Sequence, residues 1–145
     1  MNNKKTLLLS LSLLIYSTLA LAELPSNDWV QYASSKKSSF NIYYSPSSIK
    51  SESGYKKVTI LKNFTEPQEF TAEKPYFKFL SSVETQLIDC EKKSYRGIRT
   101  EKWTELWGKG KLGRAYDYIG MRQQAWSEPI KNTQIQGALM DKVCQ

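Results

Sequence analysis

Two cysteines, Cys90 and Cys144, stand behind an N-terminus that reads as an export signal. In an exported chain two thiols persist as a disulfide and allow only one pairing, so Cys90 is expected to bond Cys144. The bond would close a loop of about 55 residues, worth roughly 4 kcal/mol in the chain-entropy model. The pair lacks Cys-x-x-Cys spacing and the sequence contains no His, which argues against a metal site or a reactive thiol pair.

The export reading rests on residues 1–22. Lys4 and Lys5 open the segment, an apolar run follows from Leu7 to Ile15, and Ala20-Leu21-Ala22 precedes Glu23. Cleavage is expected after Ala22, leaving 23–145 as a single domain. The apolar run is shorter than the roughly 20 residues a spanning helix needs. No cysteine follows it to carry a lipid, so the expected product is periplasmic, secreted or at the cell surface, with neither a transmembrane nor a lipoprotein anchor.

Without His, Ser-His-Asp and Cys-His catalysis and the usual imidazole base are removed. The remaining acid pairs, Glu66 with Glu69 and Asp89 with Glu91, sit among lysines and read as solvated carboxylates. No catalytic set is assigned, and the chain is expected to be no enzyme and to use no cofactor or metal.

The segments Trp29–Ala33, Phe40–Tyr44, Tyr55–Phe64, Phe77–Cys90, Lys93–Trp103 and Leu112–Trp126 are rich in aromatic and β-branched residues and read as strands. Ser, Gly, Pro and Asn clusters separate several of them, so an antiparallel meander is expected. The last segment changes period: Thr133 and Gln136 are spaced as a capping box, and Ile135, Leu139 and Val143 recur at four-residue steps. A helix is expected from Gln134 to Val143, burying Ile135, Leu139 and Val143, with Met140 and Cys144 on the same side. The fold class is therefore α+β, a sheet with one helix docked on a face.

The residues that carry a family resemblance run along nearly all of this domain. They are Trp29, Tyr43-Tyr44-Ser45-Pro46-Ser47-Ser48-Ile49, Val58, Leu61, Asn63-Phe64-Thr65-Glu66-Pro67-Gln68, Ile88-Asp89-Cys90, Tyr95-Arg96, Trp107-Gly108-Lys109-Gly110, Trp126, Ala138-Leu139 and Val143-Cys144. In that order they resemble the surface-adhesin protein E family of exported bacterial proteins. The resemblance implies a curved antiparallel sheet of about six strands, with the helix tethered to its concave face by the disulfide. It also implies relatives that act at the cell surface, bind host extracellular-matrix or serum proteins, and dimerise. Ser45 stands where the family commonly has Asp. Haem binding occurs within the family, but with no His only Tyr or Met could serve as axial ligand, and none is expected here.

Charge supplies the one functional signal read from the residues alone. Between Glu91 and Arg114 lie Lys92, Lys93, Arg96, Arg99, Lys102, Lys109, Lys111 and Arg114 against three acids, while the remainder of 23–145 is neutral. This +5 segment is the candidate binding region for an anionic partner: lipopolysaccharide phosphates, sulfated glycans or acidic protein surfaces. Strand alternation would instead point Arg96 and Lys102 away from Lys93 and Arg99, splitting the charge between two faces. Lys109 and Lys111 are expected to be the most exposed, and Arg96 is equally readable as a structural ion-pair partner.

Gly108, Gly110 and Gly113 spell G-x-G-x-x-G, but between apparent strands they read as a turn or bulge rather than a nucleotide loop. Trp103, Trp107, Tyr116, Tyr118 and Trp126 flank them, and Trp103 or Trp107 is expected in the core. Export argues against nucleic acid as the partner of this basic and aromatic mixture. The functional expectation is an exported, non-enzymatic adhesin-like binding protein that contacts a host matrix or serum protein or an anionic envelope component. The alternative is a periplasmic structural or accessory protein of the cell envelope.

Overall fold

The computed structural model describes residues 28–36, 39–119, 125–131 and 134–145. The export segment and its cleavage site, and the capping residue Thr133, lie outside the described residues. Seven strands form one antiparallel sheet: β1 (Val30–Ser35), β2 (Phe40–Tyr44), β3 (Lys50–Glu52), β4 (Tyr55–Phe70), β5 (Phe77–Asp89), β6 (Ser94–Trp103) and β7 (Leu112–Asp117). Their order is β1-β2-β4-β5-β6-β7, with β3 pairing the start of β4. One helix, α1 (Ile135–Val143), follows.

Alternation along β4 and β5 separates two faces. Val58, Ile60 and Lys62 pair with Gln86, Glu84 and Ser82, and this side, with Ile88, carries α1. Leu139, Met140 and Val143 of the helix pack on Val58, Ile60 and Ile88, ringed by Tyr32, Tyr44, Ile49 and Ile130. A helix of nine residues is marginal alone, so this apolar contact and the disulfide hold it. Cys90 is bonded to Cys144, with Cα atoms 5.6 Å apart. Leu61, Val83 and Leu87 lie on the opposite side, and all three are buried.

Four details differ from the sequence reading. Ile135 is exposed, while Gly137 joins Leu139, Met140 and Val143 on the buried stripe. The first helical turn lies over polar Gln86, whose side-chain oxygen accepts from Gln136 Nε2 at 3.1 Å, so Ile135 has no apolar floor. The three-residue β3, all exposed and polar, carries no hydrophobic signal. β4 runs on to Phe70 because a bulge between Asn63 and Gln68 accommodates Pro67, which cannot donate to a ladder.

The fourth detail is that β7 stops at Asp117. Residues 125–130 belong to no strand. Ser127 N–H donates to the Tyr95 carbonyl at 2.9 Å and Ile130 N–H to the Lys93 carbonyl at 2.8 Å.

Candidate functional site

The segment between β6 and β7 folds back over the face opposite α1, held by two buried polar side chains. Asn63 Oδ1 accepts the Trp107 backbone N–H at 2.9 Å. Ser81 Oγ accepts the Gly108 N–H at 3.0 Å and donates to the Glu105 carbonyl at 2.5 Å. Ser81 is fully buried and Asn63 nearly so. Thr104 adds a third tie, its Oγ1 accepting the Lys111 N–H at 2.9 Å.

These anchors stabilise an unusual backbone. Trp107 takes φ 65°, ψ 26°, a left-handed conformation costing a side-chain-bearing residue roughly 1–2 kcal/mol. Gly108 follows at φ +66°, and a Cβ there would sit 3.0 Å from Val83 Cγ2, so glycine permits both the turn and the close approach. The G-x-G-x-x-G pattern is thus turn chemistry, as its setting between strands suggested.

The turn lifts side chains into solvent. Leu106, Trp107 and Leu112 are each about 40% exposed, beside exposed Lys109 and Lys111. Trp107 rests on Tyr43, ring centroids 4.8 Å apart, which fixes the indole while leaving an outer face free. Trp107 is therefore a half-exposed surface residue, so of the two tryptophans, one of which was expected in the core, it is not the core one. Trp103 is half-buried, its Nε1 donating to Glu101 at 3.1 Å. A rigid aromatic with apolar neighbours and a cationic rim has the composition of an interface hot spot.

The eight cations of the basic segment do not form one patch. Lys92 lies 3.9 Å from Asp89, and Lys93 is exposed in the β5–β6 turn. Arg99 is held between Glu101 at 2.8 Å and Asp117 at 2.6 Å; its pKa is raised, first by the hydrogen bond to Glu101. Arg96 stacks on Trp126, 5.1 Å from the ring centroid, and joins no ion pair among the described residues.

Lys102 lies over Phe79, and Arg114 donates to the Lys74 carbonyl at 3.1 Å with Glu73 at 3.8 Å. Only Lys109 and Lys111 accompany the exposed Trp107.

Simple alternation misplaces one of these residues. β6 is bulged where it passes Thr85 and Gln86, so Arg96 opposes Leu87 and Arg99 opposes Thr85. Both therefore point to the side away from α1, not to opposite faces. Lys102, opposite Ser82, points to the α1 side. Ser45, at the position where the resemblance led one to expect Asp, is fully buried. Its hydroxyl donates to Asp28 Oδ1 at 2.6 Å, and Asp28 Oδ2 accepts the Ser47 N–H at 2.8 Å.

With this geometry in place, residues 29–145 match the model of the family described as surface-adhesin protein E. The chain belongs to that family. Comparison with curated proteins gives no match. The fold is similar to that of Haemophilus influenzae protein E in two crystal forms, each with TM-score 0.59 and 13% identity. They cover 82% of this chain and 85% or 88% of that one.

A structure of protein E from non-typeable Haemophilus influenzae is similar at 15% identity and TM-score 0.59, covering 82% of this chain and 76% of that one. At such identity the likeness is one of fold: an antiparallel sheet with a C-terminal helix. Among the described residues no helix is long and apolar enough to cross a membrane.

Proposed function

We propose that this member of the surface-adhesin family is an exported binding protein that contacts a host extracellular-matrix or serum protein through residues 104–112. Residues 1–22 act as its cleaved signal, and 23–145 form its single domain. The observation that carries the reading is the anchored turn, in which Asn63 and Ser81 hold Trp107 half exposed between Leu106, Leu112 and two free lysines. A fixed indole loses little entropy on binding, and the lysines favour partners with acidic surfaces.

Purified 23–145 is applied to immobilised matrix and serum proteins. Trp107→Ala with Lys109→Glu and Lys111→Glu should remove retention that the unaltered protein shows. Equal retention by both would eliminate the turn as the contact.

A second reading is a periplasmic accessory protein of the envelope, an oxidising compartment in which the Cys90–Cys144 bond would persist. External protease on intact cells separates the two. Digestion places the protein at the surface, and protection until the outer membrane is opened places it in the periplasm.

A further inference from the structure

A second set of cations lies on the other face, beside α1. Cross-strand register aligns Lys62 of β4, Ser82 of β5, Lys102 of β6 and Arg114 of β7 in one row. Neighbouring strands are about 4.8 Å apart, so Lys62 and Lys102 arise roughly 10 Å from each other and Arg114 roughly 5 Å further on. Lys62 comes from outside the basic segment of the sequence.

Phenylalanines support the row. Lys62 Nζ lies 4.8 Å from the Phe40 centroid and Lys102 Nζ 4.3 Å from that of Phe79, while Phe70 is 5.8 Å from both Lys102 and Arg114. Phe64 links Phe40 to Phe79 through edge contacts at 6.2 and 5.5 Å. The lysine stems thus lie along apolar surface with their ammoniums above it.

Neither Lys62 nor Lys102 joins an ion pair among the described residues, unlike Lys57, Arg99 and Arg114. Glu84, in the next row, is instead hydrogen-bonded to Gln86 Nε2 at 2.9 Å. Burial and then the charge of Lys62 lower the Lys102 pKa, and the Glu84 carboxylate in the next row offsets part of that lowering.

We infer that the row Lys62–Ser82–Lys102–Arg114 binds a linear sulfated glycan laid across the strands. Compact ammoniums in a line suit sulfates repeated along a chain, and Ser82 places a hydroxyl donor between them. Half-buried Phe40 and Phe64 offer apolar rim to the C–H faces of the sugars. This site shares no residue with the 104–112 turn and lies on the opposite side of the sheet.

The test is fluorescence anisotropy of labelled heparin oligosaccharide with purified 23–145 at low salt. Lys62→Met with Lys102→Met keeps the stems on the rings and removes the charges, and it should weaken binding about tenfold or more. Lys109→Glu with Lys111→Glu should leave most of the affinity. An unchanged affinity in the folded methionine variant, verified by its thermal transition, overturns the inference.

Displacement by inorganic sulfate no greater than by chloride at equal ionic strength supports a chain ligand; stronger displacement by sulfate overturns it in favour of an isolated anion. Lysine-dependent binding of lipopolysaccharide or an acidic peptide without heparin binding also overturns the glycan assignment. Because the turn and the row are altered separately, loss of host-protein retention and loss of glycan binding are distinguishable.

Discussion

The Trp107 backbone N–H donates to the Asn63 side-chain oxygen at 2.9 Å, across 44 residues of sequence. Ser81 makes the companion contact to Gly108, so two buried polar groups from adjacent central strands build a surface turn. The exposed Trp107 is therefore a product of the sheet interior.

Removing these anchors should loosen the turn before the sheet. Ser81→Ala deprives the Gly108 N–H and the Glu105 carbonyl of their partner and is expected to cost about 1–3 kcal/mol. Asn63→Ala should cost a similar amount. Urea denaturation gives the cost, and faster amide exchange confined to Trp107 and Gly108 identifies the mechanism. A variant as stable as the unaltered protein would show that the anchors hold nothing.

Arg99 neutralises Glu101, whose carboxylate is largely buried and otherwise accepts only from Trp103 Nε1 at 3.1 Å among the described residues. Arg99→Ala leaves that charge half-satisfied and should destabilise by about 1–3 kcal/mol. Arg99→Ala with Glu101→Gln should recover part of the loss. A double-mutant cycle by thermal denaturation checks the coupling.

Lys102 has a lowered pKa, first through burial and next through Lys62. Replacing Lys62 by Met should therefore raise the Lys102 value part of the way toward 10.5, read from the pH dependence of its Cε chemical shift. The stability contribution has a definite sign. Between the lowered folded value and 10.5 the unfolded chain binds more protons at Lys102 than the folded one does, so this residue adds stability as pH rises through that window. The added stability should shrink in Lys62→Met.

Reduction of Cys90–Cys144 should release α1 first. The apolar contact of Leu139, Met140 and Val143 and the Gln136–Gln86 hydrogen bond then retain the nine-residue helix, and the chain-entropy model assigns the bond roughly 4 kcal/mol for its loop. Hydrogen exchange after reduction should show protection lost over Ile135–Val143 ahead of β4 and β5. Simultaneous loss throughout would make the helix inseparable from the sheet.

Much of the fold was legible because its signals are local. Phe40–Tyr44 reads as a strand from its aromatic and β-branched content, and the change of period after Thr133 marks the helix. β3 was not legible, since Lys50, Ser51 and Glu52 are exposed and bury nothing, and their ladder with β4 carries only polar side-chain contacts, Ser51 with Lys56 and Glu52 with Lys57. The overlong reading of β7 followed the aromatics to Trp126, which in fact stacks on Tyr55 from an irregular segment.

The candidate site was less legible. Lys109 and Lys111 were readable as loop cations, but nothing in the local sequence marks Asn63 or Ser81 as anchors of a turn. Their roles depend on a turn returning across the sheet. The grouping of Lys62 with Lys102 depends on register, and the bulge in β6 defeats any count by alternation.

The central claim is that the anchored turn is the surface by which this adhesin-family protein engages its partner. The direct measurement is surface-plasmon-resonance binding of the unaltered protein and of Trp107→Ala to the matrix or serum protein that retains it best. Trp107 is already half exposed, so its truncation should spare the thermal transition while weakening binding by at least about 2 kcal/mol, the hot-spot range. An unchanged dissociation constant in the folded variant would contradict the account.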